Sequence, residues 1–382
     1  MDKDITFKIF FNWTANAGVT YYRMLNFEKY MKREAGISVA SSKYKPLSQG
    51  IADWEMWLLD DKKRDQVISD MDNLMNIADI SVWQMCHLDL SLPLFLAYRK
   101  KHDKVKPVLM DIDDYVFGVN PENIGFDSYY PNSNLEYFAE MQLRNANFVI
   151  TSTPWLKENL KKYNPCIECI PNAIDFEIWD KVQNYQKEGR VRIGWSGGQA
   201  HYEDLKIMMR VMPVILAKYK HVDFVYMGGM PDYMQTGRRI IHVNKWYSMY
   251  EYPKQFAKLG IDIGIAPLRD NLFNRAKSNL RYLEYSALKV PTIASPVEPF
   301  KNEHFKGYYA LEADEWIAML SRLIEDEYER KRIGQESYEI VKKYYNVENI
   351  ARNYLSLLIK ITKGEIKINK SMFDNEGVSI SL

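Results

Sequence analysis

One stretch narrows the fold more than any other: Ile261–Ser295, IDIGIAPLRDNLFNRAKSNLRYLEYSALKVPTIAS. Ile261–Pro267 is a short apolar run ending in proline, the pattern of a parallel strand buried on both faces. A polar loop with Asn271, Asn274 and Lys277 follows. Ser278 or Asn279 then caps a helix whose inward face is Leu280, Leu283 and Ala287. Val290–Ala294 resumes as a second strand. At roughly 100° per residue, Lys277, Arg281 and Glu284 fall along one edge of the helix. Two cations sit where backbone N–H groups already favour an anion, with a carboxylate about a turn further on. That combination suits a diphosphate with a sugar hydroxyl nearby. A solvated, charged loop between strand and helix has the same spacing, and the residues alone leave both readings open.

The rest of the chain alternates in the same way. Phe7–Trp13 reads as a strand running into the turn-rich NWTANAG, Asn12–Gly18, and then a helix, Val19–Arg33. Its single glycine is not a dinucleotide fingerprint. Ala78–Gln84, Pro107–Ile112, Phe148–Ser152 and Cys166–Pro171 read as further strands. Leu90–Lys101, Leu135–Asn145 and Pro154–Lys162 read as helices. Ser41–Arg64, charged and holding Trp54 and Trp57, reads as a mobile or acceptor-facing segment. After a polar linker at Asp175–Gly189 the pattern restarts. Strands are expected at Val191–Trp195, Asp223–Met227 and Arg239–Val243, with helices at Leu205–Tyr219 and Tyr250–Leu259. Trp316–Glu325, Tyr328–Tyr345 and Val347–Ile361 close the chain as helices before a polar tail. Repeated β and α elements predict doubly wound parallel sheets, one in each half.

At 382 residues there is room for two domains with separate cores. A hydrophobic fraction of 47% and an aromatic fraction of 14% exclude a disordered chain. The net charge of +1 conceals an asymmetry: residues 1–180 carry 20 Lys+Arg against 26 Asp+Glu, and residues 181–382 carry 31 against 24. An anionic ligand therefore belongs with the second half. Three cysteines, Cys86, Cys166 and Cys169, do not suggest a disulfide scaffold and fit a reducing compartment. Cys166 and Cys169 point to opposite faces of a strand and make a poor chelate, with no second pair to complete a zinc site. Without a signal-peptide pattern or an apolar run near the ~18 residues of a membrane span, the expectation is a cytoplasmic protein, with peripheral membrane contact left open.

Two halves of this kind, with the phosphate machinery in the second, resemble GT-B glycosyltransferases, in particular glycosyltransferase family 4 (glycosyl transferases group 1) of phage and bacterial type. The resemblance spans about residues 5–361 and rests on NWTANAGVTYYR, VLMDIDDYVF, FVITSTPWLKENLKKY with CIPNAIDF, IGWSGGQAHYEDL and KSNLRYLEYSALKVPTIAS. It implies an acceptor-side domain over 1–178, a donor-binding domain over 179–345, a helix at about 346–362 packing back on the first domain, and a tail at 363–382. The two domains would face a cleft. It also implies a retaining, metal-independent transfer from a nucleotide-diphosphate sugar, a UDP-sugar first, to an acceptor hydroxyl, with no obligatory cofactor. Of the family's paired glutamates, Glu284 matches the second, which contacts the nucleotide ribose. Ala276 stands where the first, on the donor sugar, belongs. Sugar choice would then move elsewhere, to Asp270, Asn274 or the first domain.

Under that reading Lys277 and Arg281 neutralise the leaving diphosphate, and Gly197 and Gly198 let a phosphate approach, unless they make a plain tight turn. Ser278, Asn279, Asn274, Gly18 and Arg23 complete the donor-binding set, with Trp246 either packing on the nucleobase or lying in the core. Arg23 has a second reading, an ion pair within the acidic half. Asp111, Asp113 and Asp114, at a strand end, could form a metal cluster, an acceptor-hydroxyl site or a general base, or be buried in hydrogen bonds. Alternation puts Asp111 and Asp113 on one face and Asp114 on the other, against a metal. Asp113 and His87 are the catalytic candidates of the first half; Asp111, Asp114 and Asn172 are its acceptor contacts. His201, beside the second loop, is a further candidate. The acceptor is a glycan or, as for some phage enzymes, a modified DNA base; the second would place the protein in a host cytoplasm. The cluster Arg99, Lys100, Lys101, Lys104 and Lys106 serves the DNA alternative, and the negative first half opposes it. The third alternative, prompted by Ala276, is a non-catalytic nucleotide-sugar binder.

Overall fold

The computed structural model describes residues 7–13, 18–43, 73, 76–85, 95, 96, 99, 106–185, 189–229, 231, 237–245 and 247–369. The chain divides into two compact units. The first comprises Met1–Phe117, Ser128–Pro171 and Glu348–Leu382, and the second comprises Gly118–Asp127 and Asn172–Val347.

Each unit is built on a six-stranded sheet in which every pairing is parallel. The first sheet contains β1 (Phe7–Trp13), β2 (Ile37–Lys43), β3 (Ile80–Gln84), β4 (Val108–Ile112), β5 (Phe148–Thr151) and β6 (Ile167–Cys169), in the order β2-β1-β3-β4-β5-β6. The second contains β7 (Val191–Gly197), β8 (Val222–Gly228), β9 (Ile240–Val243), β10 (Ile263–Ala266), β11 (Thr292–Ala294) and β12 (Gly307–Tyr309), in the order β12-β11-β10-β7-β8-β9. Strands β3, β4 and β5 are buried at every position, as the apolar runs demand of a sheet covered on both faces.

Two strands carry no expected counterpart in the sequence. They are β2, inside and before the segment read as mobile, and β12. Both are sheet edges. An edge strand has one neighbour and less burial, so it needs no continuous apolar run. The remainder of Ser41–Arg64 lies outside the described residues, as do Cys86 and most of the helix expected at Leu90–Lys101. Cys166 and Cys169 are free thiols. No helix among the described residues is long and apolar enough to cross a membrane.

Helix α1 runs through Gly18–Thr20, Tyr21–Leu25 and Asn26–Met31, its middle segment wound as a π-helix. That winding buries four consecutive residues, Tyr21, Tyr22, Arg23 and Met24. The other helices used below are α2 (Asn134–Asn145), α3 (Pro154–Leu160), α4 (Phe176–Trp179), α5 (Tyr202–Leu205), α6 (Met208–Lys218), α7 (Tyr252–Ala257), α8 (Leu272–Ala276), α9 (Leu280–Ala287), α10 (Ala313–Glu325), α11 (Glu327–Tyr344) and α12 (Val347–Thr362). Tyr354 of α12 packs on Phe11 and Phe27 within the first unit, with ring centroids 6.3 and 5.5 Å apart.

In the second unit the chain leaves β7 toward β8 on one side, and leaves β10 toward β11 on the other. The crevice beyond the carboxyl ends of β7 and β10 is therefore the switch point at which open α/β sheets bind ligands. Helix α9 lies close over this point because Gly264 of β10 has no side chain. A Cβ there would stand 2.5 Å from the Tyr285 ring. The Tyr285 hydroxyl passes the strand and donates to the carbonyls of Gly194 (2.9 Å) and Ile265 (3.2 Å). The corresponding switch point of the first sheet lies between β1 and β3; residues 14–17 and 86–90 are outside the described residues.

Candidate functional site

The end of β7 and the start of α9 form one constellation in the second unit. Arg281, in the first turn of α9, folds back over the Trp195 ring, its guanidinium carbon 5.2 Å from the ring centroid. Its Nε donates to the Ser196 carbonyl at 3.0 Å. Trp195 is fully buried, so the guanidinium rests on a fixed platform. Gly197 makes room for it: a Cβ there would lie 2.5 Å from the Trp195 ring and 2.9 Å from the Arg281 guanidinium. Gly228, at the end of β8, has φ +113°, and a Cβ on it would meet the Gly197 carbonyl oxygen at 2.1 Å. The neighbouring strand ends thus approach as only glycine permits.

The connection between β10 and α9 is less loop-like than the sequence suggested. Asn271 accepts from the Asn274 N–H at 2.8 Å and caps the short helix α8. Lys277 ends that helix, its Nζ 4.1 Å from the centre of the Phe273 ring. Asn279 occupies the N-cap position of α9 without a side-chain bond to its first turn. Ser278 accepts from the Asn172 side chain at 2.9 Å.

Glu284 sits one turn beyond Arg281 and is 8% exposed. It accepts a hydrogen bond from the Tyr252 hydroxyl at 3.1 Å, and that hydroxyl lies 3.3 Å from Ser196 Oγ. Burial raises the Tyr252 phenol well above its ordinary range, and the Glu284 charge raises it further. A second network flanks the cations. Asp204 of α5 accepts from His201 Nδ1 (3.0 Å), the Asn274 side chain (2.7 Å) and the Arg269 N–H (2.9 Å). Burial lowers the His201 pKa. The charges of Arg281 and Lys277 lower it further, and the bond to Asp204 opposes them.

Several expected contacts find other partners. Asn274 is buried, and its amide nitrogen ties Asp204 to the Arg269 carbonyl (2.9 Å), holding the loop together. Asp270 is engaged by the Arg275 guanidinium at 2.6 and 3.1 Å. Ala276 is fully buried. Asn172 belongs to the second unit, where its side chain donates to Ser278 Oγ.

In the first unit, Arg23 and Asp111 find each other. Nε and Nη2 donate to the two carboxylate oxygens at 3.0 and 2.8 Å, Nη1 to the Ile170 carbonyl at 2.6 Å, and Nη2 also to the Thr151 carbonyl at 3.3 Å. The two residues are 0% and 1% exposed. Burial works against the Arg23 charge, and the Asp111 carboxylate overrides it, leaving the guanidinium more basic than usual. Of the two readings given to Arg23, the structure takes the internal ion pair, and with it Asp111 leaves the acceptor contacts. The Asp113 charge also acts on Arg23, in the same direction as that of Asp111. Asp113 and Asp114 are partly buried just beyond β4, and the Asp113 carbonyl lies 3.4 Å from Ser152 Oγ. Gly18 opens α1, and Gly198 follows β7 in extended conformation. His87 and Trp246 lie outside the described residues.

Sequence reasoning overlooked two members of the site. Asp204 stands three residues after His201, the spacing of neighbours on a helical turn. Tyr252 left no comparable signal, because its partner Glu284 is remote in sequence.

Residues 210–356 match the family model described as glycosyl transferase-like, a span that contains Lys277, Arg281 and Glu284. No curated protein matches the chain by sequence. Solved structures similar to it include sucrose-phosphate synthase from Thermosynechococcus elongatus (TM-score 0.67, 12% identity, 94% of this chain and 100% of the other). They also include HepE of Anabaena in complex with UDP-glucose (0.62, 13%, 93% and 100%). A third is the trehalose-6-phosphate synthase OtsA (0.63, 14%, 93% and 99%). Residues 210–356 are thus similar to a glycosyl transferase-like family model, and the chain takes the two-domain GT-B fold of these solved structures.

Proposed function

We propose that this protein is a glycosyltransferase that takes its sugar from a nucleoside-diphosphate sugar, a UDP-sugar first, and transfers it with retention to an acceptor hydroxyl on a glycan. The observation that carries the reading is the pairing on α9 of Arg281, pinned to Ser196 and Trp195, with Glu284 one turn away at the switch point of the second sheet. HepE, solved with UDP-glucose, has the same fold.

The chemistry follows from the charges. Breaking the anomeric carbon–oxygen bond leaves growing negative charge on the β-phosphate. Lys277, Arg281 and the first N–H groups of α9 offer preorganised compensation for it, worth most in a water-poor site. Glu284 accepts from a ribose hydroxyl and fixes the nucleotide along the helix. Gly197 and Gly198 admit the diphosphate to the end of β7. The departing diphosphate takes the proton of the incoming hydroxyl, so no protein base is required. Asp113, Asp114 and His87 are the first half's proposed acceptor-side residues.

The test is turnover of the donor. With a panel of nucleotide sugars, the wild type is expected to release the nucleoside diphosphate, slowly to water and faster with a suitable saccharide. Lys277→Ala and Arg281→Ala should each lower that rate by about a hundredfold, the usual loss for one donor to a developing oxyanion. Release that proceeds equally well in both variants would overturn the assignment, and tight donor binding without turnover would favour a non-catalytic binder.

A further inference from the structure

We propose that Tyr252 is a positioning residue that sets the ribose selectivity of the site: its hydroxyl, seated between Ser196 and Glu284, aims the Glu284 carboxylate at the ribose of the bound nucleotide. The inference rests on the reading of Glu284 as the ribose contact.

A phenol carries one hydrogen, and an ionised carboxylate can only accept. At 3.1 Å the Tyr252 proton therefore goes to Glu284 Oε2, and Ser196 Oγ, 3.3 Å away, donates to the Tyr252 oxygen. The order Ser196 to Tyr252 to Glu284 is fixed in direction. Burial keeps the phenol protonated well beyond neutral pH. The ring cannot swing away easily. It is stacked on Phe256 (centroids 5.4 Å, planes 22° apart) and edge-on to Trp179 (6.3 Å, 75°). Tyr252 opens α7, its N–H bonded to the Ser248 carbonyl at 2.8 Å, and Pro253 follows it.

The consequence lies in what Glu284 would do otherwise. Arg281 is three residues back on α9, within ordinary reach of a helical carboxylate. A Glu284 released by Tyr252 would turn to that guanidinium, lost to the ribose and competing with the diphosphate. A carboxylate has about four lone-pair positions, so one bond from Tyr252 orients it and leaves acceptor capacity for ribose hydroxyls. The same Ser196 supplies its carbonyl to Arg281 and its hydroxyl to Tyr252, so one residue at the end of β7 sets both halves of the clamp.

The test is a calorimetric titration of wild type, Tyr252→Phe, Glu284→Gln and the double variant. The probes are ADP, CDP, GDP and UDP, the tightest then paired with its 2′-deoxy form. Wild type is expected to prefer the ribonucleotide by about tenfold, the worth of one hydrogen bond to a charged group. Tyr252→Phe should reduce that preference to about threefold or less, weaken the ribonucleotide more than its deoxy form, and have no further effect in the Glu284→Gln background. A preference that survives in Tyr252→Phe and vanishes in Glu284→Gln overturns the role of Tyr252 and leaves that of Glu284 standing. Equal affinities for ribo- and deoxy forms in wild type, or binding of none of the four, overturn both.

Discussion

Replacing Asp111 by alanine should unfold the first unit far more readily, for a reason that can be worked out bond by bond. Arg23 is wholly buried and makes two of its contacts to the Asp111 carboxylate, at 3.0 and 2.8 Å. Without that carboxylate the guanidinium keeps the Ile170 and Thr151 carbonyls, at 2.6 and 3.3 Å, but no counter-charge from this residue. Arginine cannot neutralise itself by losing a proton. Breaking one side of a buried pair costs about 3–5 kcal/mol, a large share of the ~5–15 kcal/mol that stabilises a domain. With a urea dependence of about 2 kcal/mol per molar, the first unit's unfolding midpoint should fall by about 1.5–2.5 M. Asp111→Asn, which keeps the volume and loses the charge, should cost about 2–3 kcal/mol. The double replacement Arg23→Met, Asp111→Leu should lie near wild type, since an apolar pair of similar volume matches a buried ion pair. Hydrogen exchange of the β4 and β5 amides in urea reports on this unit separately. A midpoint shift below about 0.3 M for Asp111→Ala would refute the reasoning, as would a double variant no better than the single one.

Two further outcomes follow from the second unit. Gly228→Ala should destabilise it by more than about 2 kcal/mol, because φ +113° and a Cβ 2.1 Å from the Gly197 carbonyl oxygen leave no accommodating shift. Gly237→Ala, where no atom of the described residues lies within 4 Å of the new Cβ, is the control that should stay within about 0.5 kcal/mol of wild type in the same denaturation series. His201 should make this unit acid-sensitive. Its folded pKa is lowered by burial, Arg281 and Lys277, so below the ordinary value of 6.5 the unfolded chain binds more protons than the folded one. Stability is complete above about pH 6.5 and falls as the pH drops through the unfolded value toward the folded one. Thermal melts between pH 7.5 and 5.5 should show the loss, and a His201→Asn variant should flatten it.

How much of this was written in the chain depends on what each feature needs. The buried parallel strands were legible because both faces must be apolar, as in Val108–Ile112 and Ile263–Ala266. That Arg281 and Glu284 stand a turn apart on one helix was legible because helical spacing is local. Edge strands β2 and β12 were not, since an edge asks little of its side chains. The polar residues of the loop have partners that the sequence did not show. Asn274 and Asp270 look ligand-facing in sequence, yet each is taken by a neighbour, Asp204 or Arg275, that only the fold brings near. Arg23 and Asp111 are far apart in sequence, and only the fold brings the buried π-helical segment of α1 against the end of β4. Tyr252 was invisible for the same reason: its meaning comes from Ser196 and Glu284, which arrive from other elements.

The central claim is that Lys277, Arg281 and Glu284 hold a nucleoside diphosphate on the second unit. Titrating UDP, GDP, ADP and CDP into wild type and into Arg281→Ala at two salt concentrations tests it most directly. The account predicts one site for at least one of the four, weaker at higher salt, and weakened at least tenfold by Arg281→Ala in low salt, where the lost charge–phosphate contact is least screened. Binding that ignores both the salt and the substitution, or no binding to any of the four, would contradict it.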